Sequence, residues 1–285
     1  MNGTPLSTRP DIDLTVRRAL AQCGLVPLEA QVLLAHVLER DRAWLAAHAT
    51  DVVARAALDR FFELAKRRRD GEPVAYLTGR REFWGLDLRI NPAVLIPRPE
   101  TETLVQAALT RLPADRAGRI LDLGTGSGAI ALALAHERPD AEVLAVDVSP
   151  AALDVAQANA QRLGLAHVRF AAADWYAGVP SGAAPFDLIA ANPPYVAQGD
   201  PHLREGDLRF EPPAALASGA DGLAALRVIV GGARHHLAPG GWLLVEHGHD
   251  QAEAVRGLFR DAGFDPLAAW RDLAGIVRVA GGRSA

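Results

Sequence analysis

Apolar residues in the first quarter of the chain recur with helical spacing. Ala30, Leu33, Leu34, Val37 and Leu38 fall on one face, and Ala54, Ala57, Leu58, Phe61, Phe62 and Ala65 on another. This spacing predicts a small helical bundle over residues 1–72. From 73 to 98, PVAYLTGRREFWGLDLRINPAVLIPR mixes aromatics, Gly and Pro with a short alternation at Leu86, Leu88 and Ile90, which predicts a β-hairpin connector. After Pro99 the period changes again. RILDL, EVLAV, VRFAAA and FDLIAA read as buried strands separated by helices near 127–137 and 150–163. GWLLVEHG at 241–248 reads as a further buried strand, and LAAWRDL and IVRVAG as two final strands joined by a tight turn. Strands alternating with helices predict an α/β domain over 99–285 with a mostly parallel sheet and right-handed crossovers.

Composition narrows the class. Apolar residues make up 49% of the 285, enough for a sizeable core, and the formal net charge of −4 argues against a protein that mainly grips a nucleic-acid backbone. Cys23 is the sole cysteine, which excludes an internal disulfide and suits a reducing compartment. The opening MNGTPLSTRPDIDL lacks a basic segment followed by an apolar one, and no uninterrupted apolar run approaches the roughly 18 residues of a membrane span. The expectation is a soluble, cytoplasmic protein.

In an open α/β sheet, ligands bind in the crevice beyond the strand C-termini. RILDL is followed there by Gly124-Thr125-Gly126-Ser127-Gly128-Ala129, glycines that let the backbone turn sharply ahead of a helix N-terminus. Asp147 closes EVLAV about twenty residues on, where a carboxylate can accept both hydroxyls of a ribose. Gly124, Gly126 and Ala129 also satisfy G-x-G-x-x-A, so these residues alone leave a nicotinamide enzyme and a methyl-donor enzyme both open.

Asn192-Pro193-Pro194-Tyr195 ends FDLIAA and separates the two. Two prolines cannot donate to a sheet and hold φ near −65°, so the strand stops with its last groups held stiffly. The nitrogen of an amide or an aromatic amine is a poor nucleophile because its lone pair is delocalised. If the Asn192 side-chain oxygen and the Pro193 carbonyl accept both N–H bonds of such an NH₂ group, they favour charge building on nitrogen as it attacks. Tyr195 can stack on the flat group and hold it in line.

DLGTGSGAI, AVDVS and NPPY together resemble class I S-adenosylmethionine-dependent methyltransferases acting on planar nitrogen. Pro73, Tyr76, Gly79, Phe83, Gly85 and VLIPRPETE at 94–102, with FEPPAALASGADGLAALR at 210–227 and EHGHDQ at 246–251, resemble more closely the bacterial family that methylates a glutamine of peptide-chain release factors, called PrmC or HemK. The resemblance spans roughly residues 27–280. It implies a Rossmann-like domain with a mostly parallel seven-stranded sheet, and S-adenosylmethionine as cofactor. Gly124, Thr125, Gly126, Ser127 and Gly128 would cradle its methionine part, Asp147 its ribose, and Trp175 and Asp174 its adenine. Asn192, Pro193, Pro194 and Tyr195 would hold the glutamine amide, with Asn192 also touching the cofactor. The implied partner is a release factor met by the helical domain, without membrane or sequence-specific nucleic-acid binding, by a monomer. Two relatives in chemistry stay open: a glutamine methyltransferase of a ribosomal protein, and an adenine-specific DNA methyltransferase that uses the same tetrapeptide.

Other clusters invite chemistry. His235, His236, His247 and His249 lie close in sequence, without the cysteine or carboxylate spacing of a metal site. Lys66-Arg67-Arg68-Arg69 closes a helix and reads as a solvated face. Glu100 and Glu102 could be catalytic carboxylates, with the alternative that Arg98 and Glu100 order the connector. Trp84 reads as part of the site's mouth or as core.

Overall fold

The computed structural model describes residues 14–112, 117–180 and 184–285. The chain divides into two compact units, one ending at Thr78 and the other running from Gly79 to Ala285. Residues 1–13, part of the expected bundle, lie outside the described residues.

The first unit is helical: α1 (Val16–Gln22), α2 (Pro27–Leu38), α3 (Arg42–Ala47), α4 (Arg55–Arg69) and α5 (Val74–Thr78). Local chemistry sets the ends. Thr15 caps α1 by accepting from Arg18 N, Pro27 occupies the first turn of α2, and Asp41 caps α3 by accepting from Trp44 N. Leu33, Leu34, Phe61 and Ala65 meet in a core that is fully buried. The basic end of α4 faces solvent, with Lys66, Arg67 and Arg69 exposed, and its arginines also find partners. Arg67 pairs with Glu72 at 2.6 Å, Arg68 pairs with Glu29 at 2.8 Å, and Arg69 donates to the Cys23 carbonyl. The solvated reading holds for exposed Lys66, Arg67 and Arg69, while the arginines also tie α4 to the rest of its own unit. Helix α5 also falls inside the stretch read as hairpin.

In the second unit the hairpin is confined to β1 (Arg80–Phe83) and β2 (Leu86–Arg89). A sheet and its covering helices follow: α6 (Glu102–Leu109), β3 (Arg119–Leu123), α7 (Ala129–Glu137), β4 (Glu142–Asp147), α8 (Pro150–Arg162), β5 (Arg169–Ala172), β6 (Phe186–Ala191), α9 (Ala224–Gly232), β7 (Leu237–Glu246), α10 (Ala252–Asp261), β8 (Leu267–Arg271) and β9 (Val277–Arg283). The seven strands run in the order β5-β4-β3-β6-β7-β9-β8. Strands β3 to β7 pair in parallel and β9 pairs antiparallel with both neighbours, so the mostly parallel sheet follows the predicted pattern. Strands β3 and β6 are buried from end to end apart from Arg119, as strands covered by helices on both faces must be.

The chain steps outward from β3 to β4 to β5, then returns to place β6 on the other side of β3. That reversal is where an α/β sheet opens a crevice. Leu123 is in register with Ala191, so the glycine loop after β3 and Asn192 after β6 leave adjacent strand ends.

Candidate functional site

A cavity of about 240 Å³ opens at these strand ends, walled by the glycine loop, Asp147, Trp175, Asn192, the 93–97 segment and the 212–215 turn. Gly124 and Gly126 hold φ of 73° and 56°, a region in which a side chain is strained. A Cβ on Gly124 would also lie 3.3 Å from the Trp175 ring, so glycine lets that ring close over the loop. Asp147 organises the turn before any ligand is considered. Its Oδ2 accepts from Gly126 N and its Oδ1 from Ser149 N, each at 2.9 Å.

Asp122 lies beneath the loop with no exposure. It accepts from the Thr125 hydroxyl at 2.6 Å and from Ala131 N at 3.2 Å. Burial pushes its carboxyl up to about 7, and the Thr125 and Ala131 bonds only partly oppose that shift. Asn159, which the sequence reading passed over, donates to the Ser127 carbonyl at 2.9 Å and to the Arg89 carbonyl at 3.0 Å, and accepts from Arg89 N at 2.7 Å. One buried amide thus pins the loop to the hairpin.

Of the residues singled out from sequence, Gly124, Thr125, Gly126, Ser127, Asp147, Asp174, Trp175, Asn192 and Pro194 line this cavity together. Gly128 sits behind the wall as the cap of α7, where its missing side chain makes room for Leu132 and Ala156. Pro193 and Tyr195 likewise stand outside the lining.

The Asn192 side chain is oriented. Its Nδ2 donates to the Thr101 hydroxyl at 3.1 Å, which leaves Oδ1 as the amide's open acceptor. Tyr195 is held at both ends: its hydroxyl donates to Glu246 Oε1 at 3.2 Å, and its carbonyl accepts from Gln251 Nε2 at 2.9 Å. Burial, then the neighbouring Glu246 charge, raises the Tyr195 phenol well above its ordinary value, so it remains a neutral donor. Glu246 is 1% exposed, and burial pushes its carboxyl up to about 7, opposed by hydrogen bonding from Thr101 and Tyr195 and by the charge of Arg278. Thr101, Glu246 and Gln251 carried no assigned role in the sequence reading; the signal that could have flagged two of them is EHGHDQ, with its acid on a buried strand.

The remaining candidates are distributed differently. Arg98 orders the connector, but with Glu211 as partner in place of Glu100; Glu211 also accepts from Ile96 N at 3.0 Å. Glu102 accepts from Trp84 N at 3.0 Å, and Trp84 Nε1 donates to Glu137 at 2.8 Å, which places both away from the cavity lining. His236 stacks on Tyr176 with ring centroids 4.5 Å apart, while buried His247 is tied to the Gly248 carbonyl. Among the described residues, no three His, Cys, Asp or Glu side chains converge as metal ligands. No helix among them is long and apolar enough to cross a membrane.

Comparison with known proteins adds to this geometry. A family model described as PrmC N-terminal domain matches residues 15–79, and one described as Methyltransferase small domain matches 101–206. A release factor glutamine methyltransferase of Xylella fastidiosa is 55% identical over 90% of this chain and 92% of its own. One of Bordetella pertussis is 56% identical over 92% of this chain and 97% of its own. Among solved structures, the T. thermophilus 16S rRNA N2 methyltransferase (RsmC) in complex with AdoMet and guanosine shares the fold, with a TM-score of 0.52 and 21% identity over 72% of this chain and 50% of that one.

Proposed function

The chain belongs to the family of release factor glutamine methyltransferases, and on that premise we propose that its cavity methylates the side-chain amide nitrogen of the glutamine in the Gly-Gly-Gln loop of a peptide-chain release factor. The cofactor is S-adenosylmethionine, which when bound supplies a methyl group made electrophilic by its sulfonium.

The cavity's residues fit that cofactor. The glycine loop from Gly124 to Gly128 leaves backbone open to a close-lying ligand. Asp147 spends one lone pair of each oxygen on a backbone N–H and keeps others for ribose hydroxyls. Trp175 offers a flat face to adenine, and exposed Asp174 an acceptor for its amino group.

Asn192 and Pro193 carry the chemistry. The Asn192 Oδ1 and the Pro193 carbonyl accept the two N–H bonds of the substrate amide, so charge building on its nitrogen is stabilised by dipoles already in place. Pro194 stiffens the turn, and the Tyr195 ring holds the flat amide in line. The product nitrogen is acidic once methylated and releases its proton without a strong base. The observation that carries this reading is the bond from Asn192 Nδ2 to Thr101, because it commits the amide to presenting oxygen to the site.

A lone glutamine offers too little surface to be told from others, so selectivity comes from contacts remote from the reacting nitrogen. We assign these to the helical first unit, which docks the release factor. We read the protein as a monomer acting in the cytoplasm, where release factors work.

The test is methyl transfer from labelled S-adenosylmethionine to three purified substrates: a bacterial release factor, bacterial ribosomal proteins, and duplex DNA. Label is expected on the release factor and lost when its Gly-Gly-Gln glutamine is replaced by alanine. Label on a ribosomal protein or DNA alone would overturn the assignment.

A further inference from the structure

Behind the residues that meet the substrate stands a carboxyl that does not line the cavity. Glu246 ends β7 at 1% exposure. Its Oε1 accepts the Tyr195 hydroxyl at 3.2 Å. That buried group therefore backs the Tyr195 end of the Asn192 to Tyr195 tetrapeptide. Resting on the functional reading above, we infer that Glu246 is a positioning residue for methyl transfer, fixing the Tyr195 ring through its hydroxyl.

For Tyr195 the argument is one of aim. Its hydroxyl is held by Glu246 and its carbonyl by Gln251, whose own Oε1 accepts from Gly248 N at 2.8 Å. A ring held at both ends cannot swing away from the plane in which it must meet a flat amide.

The rival explanation is that Glu246 serves only the fold, and the structure argues against it. Its Oε2 is buried with no hydrogen-bond partner. A buried carboxyl left partly unsatisfied costs stability, and an apolar side chain of similar volume is often neutral or better in such a place. The two explanations make opposite forecasts for Glu246→Leu: a structural role predicts a lower Tm, a positioning role predicts slower chemistry in a protein at least as stable.

The experiment uses the full chain, S-adenosylmethionine and a purified bacterial release factor, with Glu246→Leu, Tyr195→Phe and their double variant. Wild-type transfer to the release factor is measured first; its absence would overturn the functional reading and this inference with it. With wild-type transfer intact, each single variant should lower kcat by about 10–100-fold, the scale of a small misplacement of reacting groups, with KM for the release factor and the Kd for S-adenosylmethionine within about threefold. The Tm of Glu246→Leu should stay level or rise, and the double variant should lose no more than the worse single variant, because both act through one link. Glu246→Leu with wild-type kcat, or a loss that tracks a lower Tm and weaker cofactor binding, would overturn the inference alone. If Glu246→Leu does not fold, Tyr195→Phe decides it, and wild-type kcat from that variant would sink it.

Discussion

The two units of this protein bury different kinds of side chain. Among the described residues, the core of the first unit is made of hydrocarbon with one thiol, Cys23, while every buried polar or charged side chain belongs to the second. Thr101, Asp122, Thr125, Asn159, Glu211 and Glu246 all hold loops or groups at the cavity. A core that only has to keep helices together gains most from apolar burial. A core beneath a reactive site keeps polar groups that cost stability, because each fixes an atom that must be in place before reaction. The contrast separates a unit with an apolar core from the unit that carries the cavity.

The largest effect that sharpens this contrast lies in the first unit. Phe61 is fully buried there, and Phe61→Ala should destabilise by about 3–5 kcal/mol in denaturant titration. Calorimetry should find the affinity for S-adenosylmethionine unchanged under native conditions. Weakened cofactor binding in a variant that remains folded would mean that the two units do not divide the work in this way.

A pH effect probes the second unit. Burial raises the Glu246 carboxyl from 4.5 to about 7. The folded protein then holds a proton that the unfolded chain has already released, so this group's contribution to stability is fully present below about 4.5 and is lost as pH rises to about 7. Glu246→Leu removes that loss. Relative to wild type it should gain on the order of 3 kcal/mol between pH 4.5 and 8, read from paired melting curves. Buried Asp122, also pushed up to about 7, adds a slope of the same sign to both proteins and cancels from the difference. A difference that does not change with pH would show that Glu246 is ionised throughout.

A smaller effect is expected at Asp147. Charge-assisted hydrogen bonds are each worth about 1.5–3 kcal/mol, so Asp147→Ala should weaken S-adenosylmethionine binding at least about tenfold. It also frees Gly126 N and Ser149 N, so protection of those amides from hydrogen exchange should fall in the same variant. Unaltered affinity would remove Asp147 from the cofactor site.

What could be read from sequence was what local chemistry announces. The alternation of strands with helices, the glycines after β3 and the prolines after β6 all impose their conformations on a few neighbouring residues. The supporting residues were hidden because their partners lie far along the chain. Glu246 meets Tyr195 across 51 positions, Asn159 meets Arg89 across 70, and Arg98 meets Glu211 across 113. The partner of Arg68 in the exposed basic run at the end of α4 was hidden for the same reason, since Glu29 lies 39 positions away. Helix α5 was lost to a different limit. It has 5 residues, too few for a helical period to stand out between Pro73 and Gly79.

The account rests on Asn192 presenting its side-chain oxygen to a substrate amide, and single-turnover methyl transfer tests that most directly. Wild type and Asn192→Ala would be saturated with S-adenosylmethionine, mixed with release factor, and the methylated residue located by mass spectrometry. Wild type should place one methyl group on the glutamine side chain, and Asn192→Ala should do so about 10²–10³ times more slowly while its cofactor affinity changes far less. A variant rate within about threefold of wild type at full cofactor occupancy would contradict the account, because the electronic role would then lie elsewhere.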